Sequence, residues 1–241
     1  MVLNVELRML KFLVRNIWRN IYSCLYKLAV TTSVITIIFI SAYHLSYGQQ
    51  DCELKISKDS IFVYTCKNPN SGVKTIKANF TISTKASVFA GHLLNVPDYI
   101  HWQYNSIQTK VLKVESENEL FYRSEIEAPW PVTNRELVVK LKITQDPQSK
   151  IMWIEIKNAA TLIPETENLV RIKKSYGKYI VTPIDTNKLQ VDYFLDIDPG
   201  GSIPDWILNM AIAEGPYQTF KNLIDRINSG IKIQAATFII D

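Results

Sequence analysis

Residues able to carry acid–base, nucleophilic or metal chemistry are sparse in this sequence. Of its three histidines, His44 lies in the N-terminal fifty residues, which leaves His92 and His101. Each sits beside a short predicted helix ahead of the main run of strands, where a surface or satisfied structural histidine is a simpler reading than a general base. Serines and carboxylates are plentiful, yet no GxSxG elbow or familiar triad order places one beside a histidine. HExxH, CxxC and clustered His/Cys patterns are missing too, so no metal or other cofactor is expected. Cys24 belongs to the leader. Cys52 and Cys66 read either as a disulfide, whose loop of about 15 residues would contribute roughly 3 kcal/mol, or as two separate buried thiols.

Charge narrows the partners. Residues 1–50 carry Arg8, Lys11, Arg15, Arg19 and Lys27 against Glu6 alone. Of the chain's 27 basic and 23 acidic groups, the other 191 residues therefore hold 22 of each. A neutral body has no overall field to gather phosphates, so nucleic acid is not expected as a partner. The basic start is followed by an uncharged stretch over residues 28–50, almost wholly apolar or small over 28–42. That run is short of the roughly 20 residues a membrane span prefers and fits the apolar region of a secretory signal. Ser46 and Gly48 supply small residues for cleavage before Gln49. Residues 1–48 are thus expected to be a signal peptide or, if uncleaved, an N-terminal membrane anchor. Residues 49–241 would be one exported domain, periplasmic or secreted after cleavage.

The elements that must position any site follow from periodicity. Residues 51–58 are expected to form a short helix. Alternation over 60–67 and 73–83 around Asn68-Pro69-Asn70-Ser71-Gly72 gives a hairpin. Short helical segments are expected over 85–94 and from Val96 to about Trp102. Strands are then expected over 107–115, 119–128, 135–145, 151–159, 169–174, 178–183 and 189–197, mostly joined by tight turns as an antiparallel meander. From Ser202-Ile203-Pro204 onward the period changes. Ile203, Ile207, Met210, Glu214, Tyr217, Phe220, Ile224 and Ile227 recur every three or four residues, one stripe of a helix of about 25 residues, with a kink expected at Gly215-Pro216. The fold class is α+β, a helix-grip in which a curved antiparallel β-sheet wraps around a long C-terminal helix.

Three segments carry a family resemblance. EAPWPVTNRE at 127–136, DPGGSIPDWILN at 198–209 and GPYQTF at 215–220 resemble signature stretches of the START family, the steroidogenic-acute-regulatory-protein-related lipid-transfer domains. The hairpin IFVYT, Trp102 ahead of a strand, and Leu169-Val170-Arg171-Ile172 fall in the family order, so the resemblance spans about residues 52–228. It implies a lipid-sized tunnel between sheet and helix holding one hydrophobic ligand, such as a sterol, phospholipid or ceramide, without chemistry.

The resemblance also implies roles for particular residues. Pro129-Trp130-Pro131 makes a stiff loop beside the tunnel mouth, with Trp130 either a core plug or a mouth contact. Arg135 shares a face with Leu137, Val139, Leu141 and Ile143, and either caps that apolar face, pairs with a buried acid or bridges at the surface. Some steroid-binding relatives carry a buried acidic–basic pair on the flanking strands. The matching positions here are Ser124 and Leu141, so the pair is expected to be absent, leaving an apolar tunnel with Tyr122 and Ser124 as hydroxyl handles. Ile207, Met210 and Tyr217 are expected to face the ligand from the helix, which would act as a lid. Gly200-Gly201 is a turn or a hinge. The expected partners are a lipid or sterol-like molecule and a membrane surface, with the chain acting as a monomer. A polyketide-cyclase-like enzyme on the same fold, or a membrane-anchored lipid sensor, is the alternative.

Overall fold

The computed structural model describes residues 52–66 and 75–241, without the side chains of Asp205, Asn209 and Met210. The leader, the turn at 68–72 and the side chain of Met210 lie outside the described residues. No helix among the described residues is long and apolar enough to cross a membrane.

The first element corrects an expectation. Cys52–Lys58 is a strand, β1, and not a helix; it pairs antiparallel with β2, Ile61–Cys66. Two facts of the chain explain this. Asp59 and Ser60 both have positive φ, 52° and 59°, the conformation of a two-residue hairpin turn. At the open end of the hairpin Cys52 faces Cys66, and a disulfide of 2.08 Å joins them. A segment tied at both ends to a strand has no room to coil.

β3 (Thr75–Ile82) completes this meander. The chain then leaves the sheet through α1 (Ala86–Leu94) and a 3₁₀ helix (Val96–His101). It re-enters at the far edge with β4 (Ser106–Ser116) and returns through β5 (Glu119–Ile126), β6 (Arg135–Gln145), β7 (Met152–Asn158), β9 (Lys174–Asp185) and β10 (Lys188–Asp198). β10 pairs with β3, so the order is β1-β2-β3-β10-β9-β7-β6-β5-β4. The strand expected over 169–174 is reduced to β8, Val170–Arg171, which pairs with β6 in parallel instead of joining the meander. The physical reason is Arg171, whose side chain turns into a buried ion network described below.

α2 (Asp205–Asn228) runs through Gly215-Pro216 as one helix across the concave face. Its C-terminal half is seated in the core: Phe220 packs on Phe80 at 4.8 Å and on Tyr193 at 5.0 Å between ring centres, and Leu223 is fully buried. Arg226 pairs with Asp98 and ties the end of α2 to the 3₁₀ helix. The tail beyond α2 folds back under α1. Ala236 donates to the Ser87 carbonyl at 2.9 Å, and the Asp241 carboxylate accepts from the Ser87 amide and hydroxyl at 2.8 and 2.9 Å. Gly91 lets the tail approach, since a Cβ there would lie 2.3 Å from the Gln234 carbonyl oxygen.

Candidate functional site

β6 shows how the sheet builds the site. Arg135, Leu137, Val139, Leu141 and Ile143 alternate onto the concave face and all are buried. The last two pack in the core, while Arg135, Leu137 and Val139 border a cavity of about 530 Å³ between the sheet and the N-terminal half of α2. Tyr179 and Tyr193 pack with tilted rings 4.6 Å apart and, with Phe220, line its inner end. The other end lies among Pro129, Val132 and the turn Pro199-Gly200-Gly201. Both glycines of that turn have φ of 65°, a left-handed conformation that side chains with a Cβ resist.

The helix presents a face rotated from the expected one. Ile207, Leu208, Ala211, Ile212, Gly215, Pro216, Thr219 and Phe220 border the cavity. Tyr217 does not; its hydroxyl donates to Asp59 at 2.6 Å in the β1–β2 turn. Ala211 and Gly215, small residues on the cavity side of α2, leave space beside the larger Ile207, Ile212 and Phe220. A second small residue acts from the sheet: Gly177 on β9 faces Ile156 and Leu195 across the concave surface.

The remaining expected residues are placed as follows. Tyr122 borders the cavity, and burial pushes its phenol upward from 10, as it does for Tyr99, Tyr179 and Tyr193. These phenols stay neutral over the ordinary pH range. Ser124 is buried beside the cavity and not in its wall; its hydroxyl lies 2.9 Å from that of Ser106 and 3.3 Å from Gln103 Oε1. Leu141 is fully buried core. Trp130 is not a plug: it is 90% exposed, while its loop neighbours Pro129 and Val132 reach the cavity. Trp206 is 62% exposed between the cavity-bordering Ile203 and Ile207.

Among the described residues, Arg135 forms neither a surface bridge nor an ion pair with a buried acid, so of its three expected roles the cap on the apolar face is the one it shows. It is only 6% exposed, donates to the carbonyls of Thr133 and, at 3.2 Å, Gly200, and pairs with no carboxylate among the described residues. Burial lowers its pKa from 12.5. It stays charged, as arginine does in proteins.

Acidic–basic pairing does flank the loop, but on the opposite face of the sheet. Glu136 accepts from Arg123 Nε at 2.7 Å, Arg171 Nε and Nη2 at 3.1 and 2.8 Å, and the Thr166 hydroxyl and amide at 2.6 and 3.2 Å. Burial alone would raise its pKa, yet the hydrogen bonds from Thr166, Arg123 and Arg171 lower it from 4.5 to about 2. Sequence reasoning missed this network. The signal was available in Glu136 itself, an acid alternating out of phase with an apolar strand face.

A sheet of this order, gripping a C-terminal helix over a cavity, matches a known family. The START domain profile matches residues 53–229. The chain belongs to the START domain family. An uncharacterized protein of Pseudomonas aeruginosa is 27% identical over 174 residues, covering 72% of this chain and 85% of that protein. Phosphatidylcholine transfer protein of Mus musculus is 22% identical over 179 residues, covering 72% and 82%. Among solved structures, a STAR-related lipid transfer protein fragment from Xanthomonas axonopodis aligns with a TM-score of 0.68 at 23% identity, covering 73% of this chain and 98% of that one. Human StAR-related lipid transfer protein 5 aligns at 0.63 and 10% identity, covering 86% and 99%. These structures share the START fold with this chain.

Proposed function

We propose that this START domain holds a single hydrophobic ligand in the cavity under α2 and carries it between membranes without chemical turnover. The observation that carries the reading is the cavity. Its volume of about 530 Å³ lies within the roughly 300–1,000 Å³ of ligand sites, and aliphatic and aromatic side chains form most of its wall. Among the described side chains, the titratable residues at the wall are tyrosines, Arg135, Glu127 and Asp198, and neither His92 nor His101 borders it. A wall without histidine favours carriage over a polyketide-cyclase-like reaction, since histidine is the side chain that most often serves as general acid or base. Exposed Trp130 and Trp206, each next in sequence to a residue that borders the cavity, support delivery at a membrane surface, where amphipathic rings settle at the headgroup level. The Cys52–Cys66 disulfide supports export to an oxidising compartment, with the leader as its signal.

Native mass spectrometry of the protein from its host, with extraction of the bound material, tests the reading. One lipid-sized adduct per chain is expected, displaced by a fluorescent lipid that saturates at one equivalent. Failure of sterols, phospholipids and fatty acids alike to bind would overturn it. N-terminal sequencing tests export: a mature chain starting at Gln49 is the expected result, and an intact residue 1 in a soluble cytoplasmic fraction contradicts it.

A further inference from the structure

Among the described residues, three buried side-chain nitrogens or oxygens have no hydrogen-bond partner: His92 Nδ1, Trp102 Nε1 and Arg135 Nε. Trp102 and Arg135 belong to the cavity wall. Both are buried, at 2% and 6% exposure, and both orphan atoms are N–H donors. An unmade hydrogen bond in a buried place is costly, and a buried cation without a counter-charge is costlier still. The acids at the wall do not relieve Arg135. Asp198 accepts from the Gly200 amide at 3.0 Å, and neither it nor Glu127 forms an ion pair with the guanidinium. The two bonds Arg135 makes go to neutral carbonyls, of Thr133 and Gly200, which fix its position and leave its charge without a counter-charge among the described side chains.

We propose that the cavity's ligand is an amphiphile with an anionic oxygen group, a phosphate ester or a carboxylate, seated against Arg135, with its apolar chain running toward Tyr179, Tyr193 and Phe220. This rests on the lipid-binding reading above and adds the headgroup class to it. Arg135 is the first residue of β6, next to the loop and the glycine turn at the end of the cavity away from Tyr179, Tyr193 and Phe220. A bound headgroup therefore sits at that end while the chain fills the uncharged inner end. Trp102 Nε1 supplies a second donor for an uncharged acceptor such as an ester oxygen. A neutral ligand, a sterol or a hydrocarbon, leaves the guanidinium without a counter-charge.

The test uses the full chain and four probes: the fluorescent fatty acid parinaric acid, its methyl ester, a fluorescent phosphatidic acid, and the diacylglycerol with the same acyl chains. Wild type should bind each acidic probe about ten- to a hundredfold more tightly than its neutral counterpart, the range expected for a hydrogen bond to a charged group. The two acidic arms tell carboxylate from phosphate. Arg135→Gln should abolish the preference, so that the acidic and neutral members of each pair bind alike, and Arg135→Lys should retain part of it. Equal affinity of wild type for acid and ester, and for phosphatidic acid and diacylglycerol, overturns the proposal and leaves lipid binding standing. An equal loss for all four probes in Arg135→Gln, with wild-type preference absent, makes Arg135 a strut of the glycine turn only. If Arg135→Gln does not fold, the wild-type pairs decide the matter by themselves. Binding of none of the four would point instead to failure of the lipid-binding reading.

Discussion

Replacing Glu136 by glutamine should destabilise the protein by about 3–5 kcal/mol, the cost of removing one partner from a buried ion pair. Glutamine keeps the shape but turns one oxygen into a donor. In the Oε1 position that donor meets Arg171 Nε and Nη2 and the Thr166 amide; in the Oε2 position it meets Arg123 Nε. Arg123 retains the Glu125 carboxylate at 3.3 Å, but Arg171 keeps no carboxylate among the described residues and has the neutral carbonyls of Ala160, Ile163 and Pro164 as its other acceptors. Against a typical stability of about 5–15 kcal/mol, the loss is large without being fatal. The same network sets an acid limit. Glu136 titrates near 2 in the folded chain and near 4.5 otherwise, so its contribution is complete above pH 4.5 and is lost as pH falls toward 2. That window is worth about 3 kcal/mol. Urea unfolding of the full chain at pH 7 measures the first number, and a series from pH 5 down to 2.5 measures the second. Glu136→Gln should show a shallower acid slope than wild type, and its folded fraction should bind ligand normally because the network faces away from the cavity. A loss under about 1 kcal/mol at pH 7, or parallel acid slopes, would refute the argument.

Gly177→Leu should reduce lipid binding at least tenfold with little loss of stability: the Cβ meets Ile156 at 3.4 Å, an ordinary contact, and the rest of the side chain enters the cavity. Competition with a fluorescent lipid reads the first effect and thermal unfolding the second; undiminished binding would show that the ligand lies elsewhere. Trp130→Ala with Trp206→Ala should weaken association with lipid vesicles while leaving affinity for a soluble fluorescent fatty acid unchanged, as read by sedimentation and titration in parallel. Gly91→Ala should destabilise by about 1–3 kcal/mol, because its Cβ would lie 2.3 Å from a backbone oxygen that has no rotamer to escape into. A thermal midpoint equal to wild type would show that the tail simply moves aside.

Strand periodicity made most of the fold legible. The alternation of β6 and the turn residues around β5, β9 and β10 place those strands within four residues of where they lie, and β6 at its observed bounds. The misreadings have local causes. β1 is an edge strand exposed along nearly its whole length, so its sequence lacks the buried face that alternation reports. β8 owes its place to Arg171 and Glu136, a contact 35 residues apart that no local pattern records. The disulfide needed the register Cys52↔Cys66, which follows only once β1 is known to be a strand.

The cavity was harder to read for a reason that belongs to cavities in general. Apolar stripes locate where side chains are large enough to touch, and on α2 that criterion led to Tyr217, which packs against the β1–β2 turn. A void also needs small residues among its large apolar ones, here Gly177 within a strand and Ala211 and Gly215 on the helix, and these do not stand out in an apolar stripe. A glycine inside a strand is the better signal, because it weakens the strand unless something must approach closely there. Arg135 is informative for the opposite reason: a charge in phase with four apolar residues breaks the pattern of its own face. Taken together, an apolar gap and a charge with no counter-charge among the described residues describe one shape and one electrostatic deficit. Both are met by the same kind of molecule, an apolar chain ending in an anion.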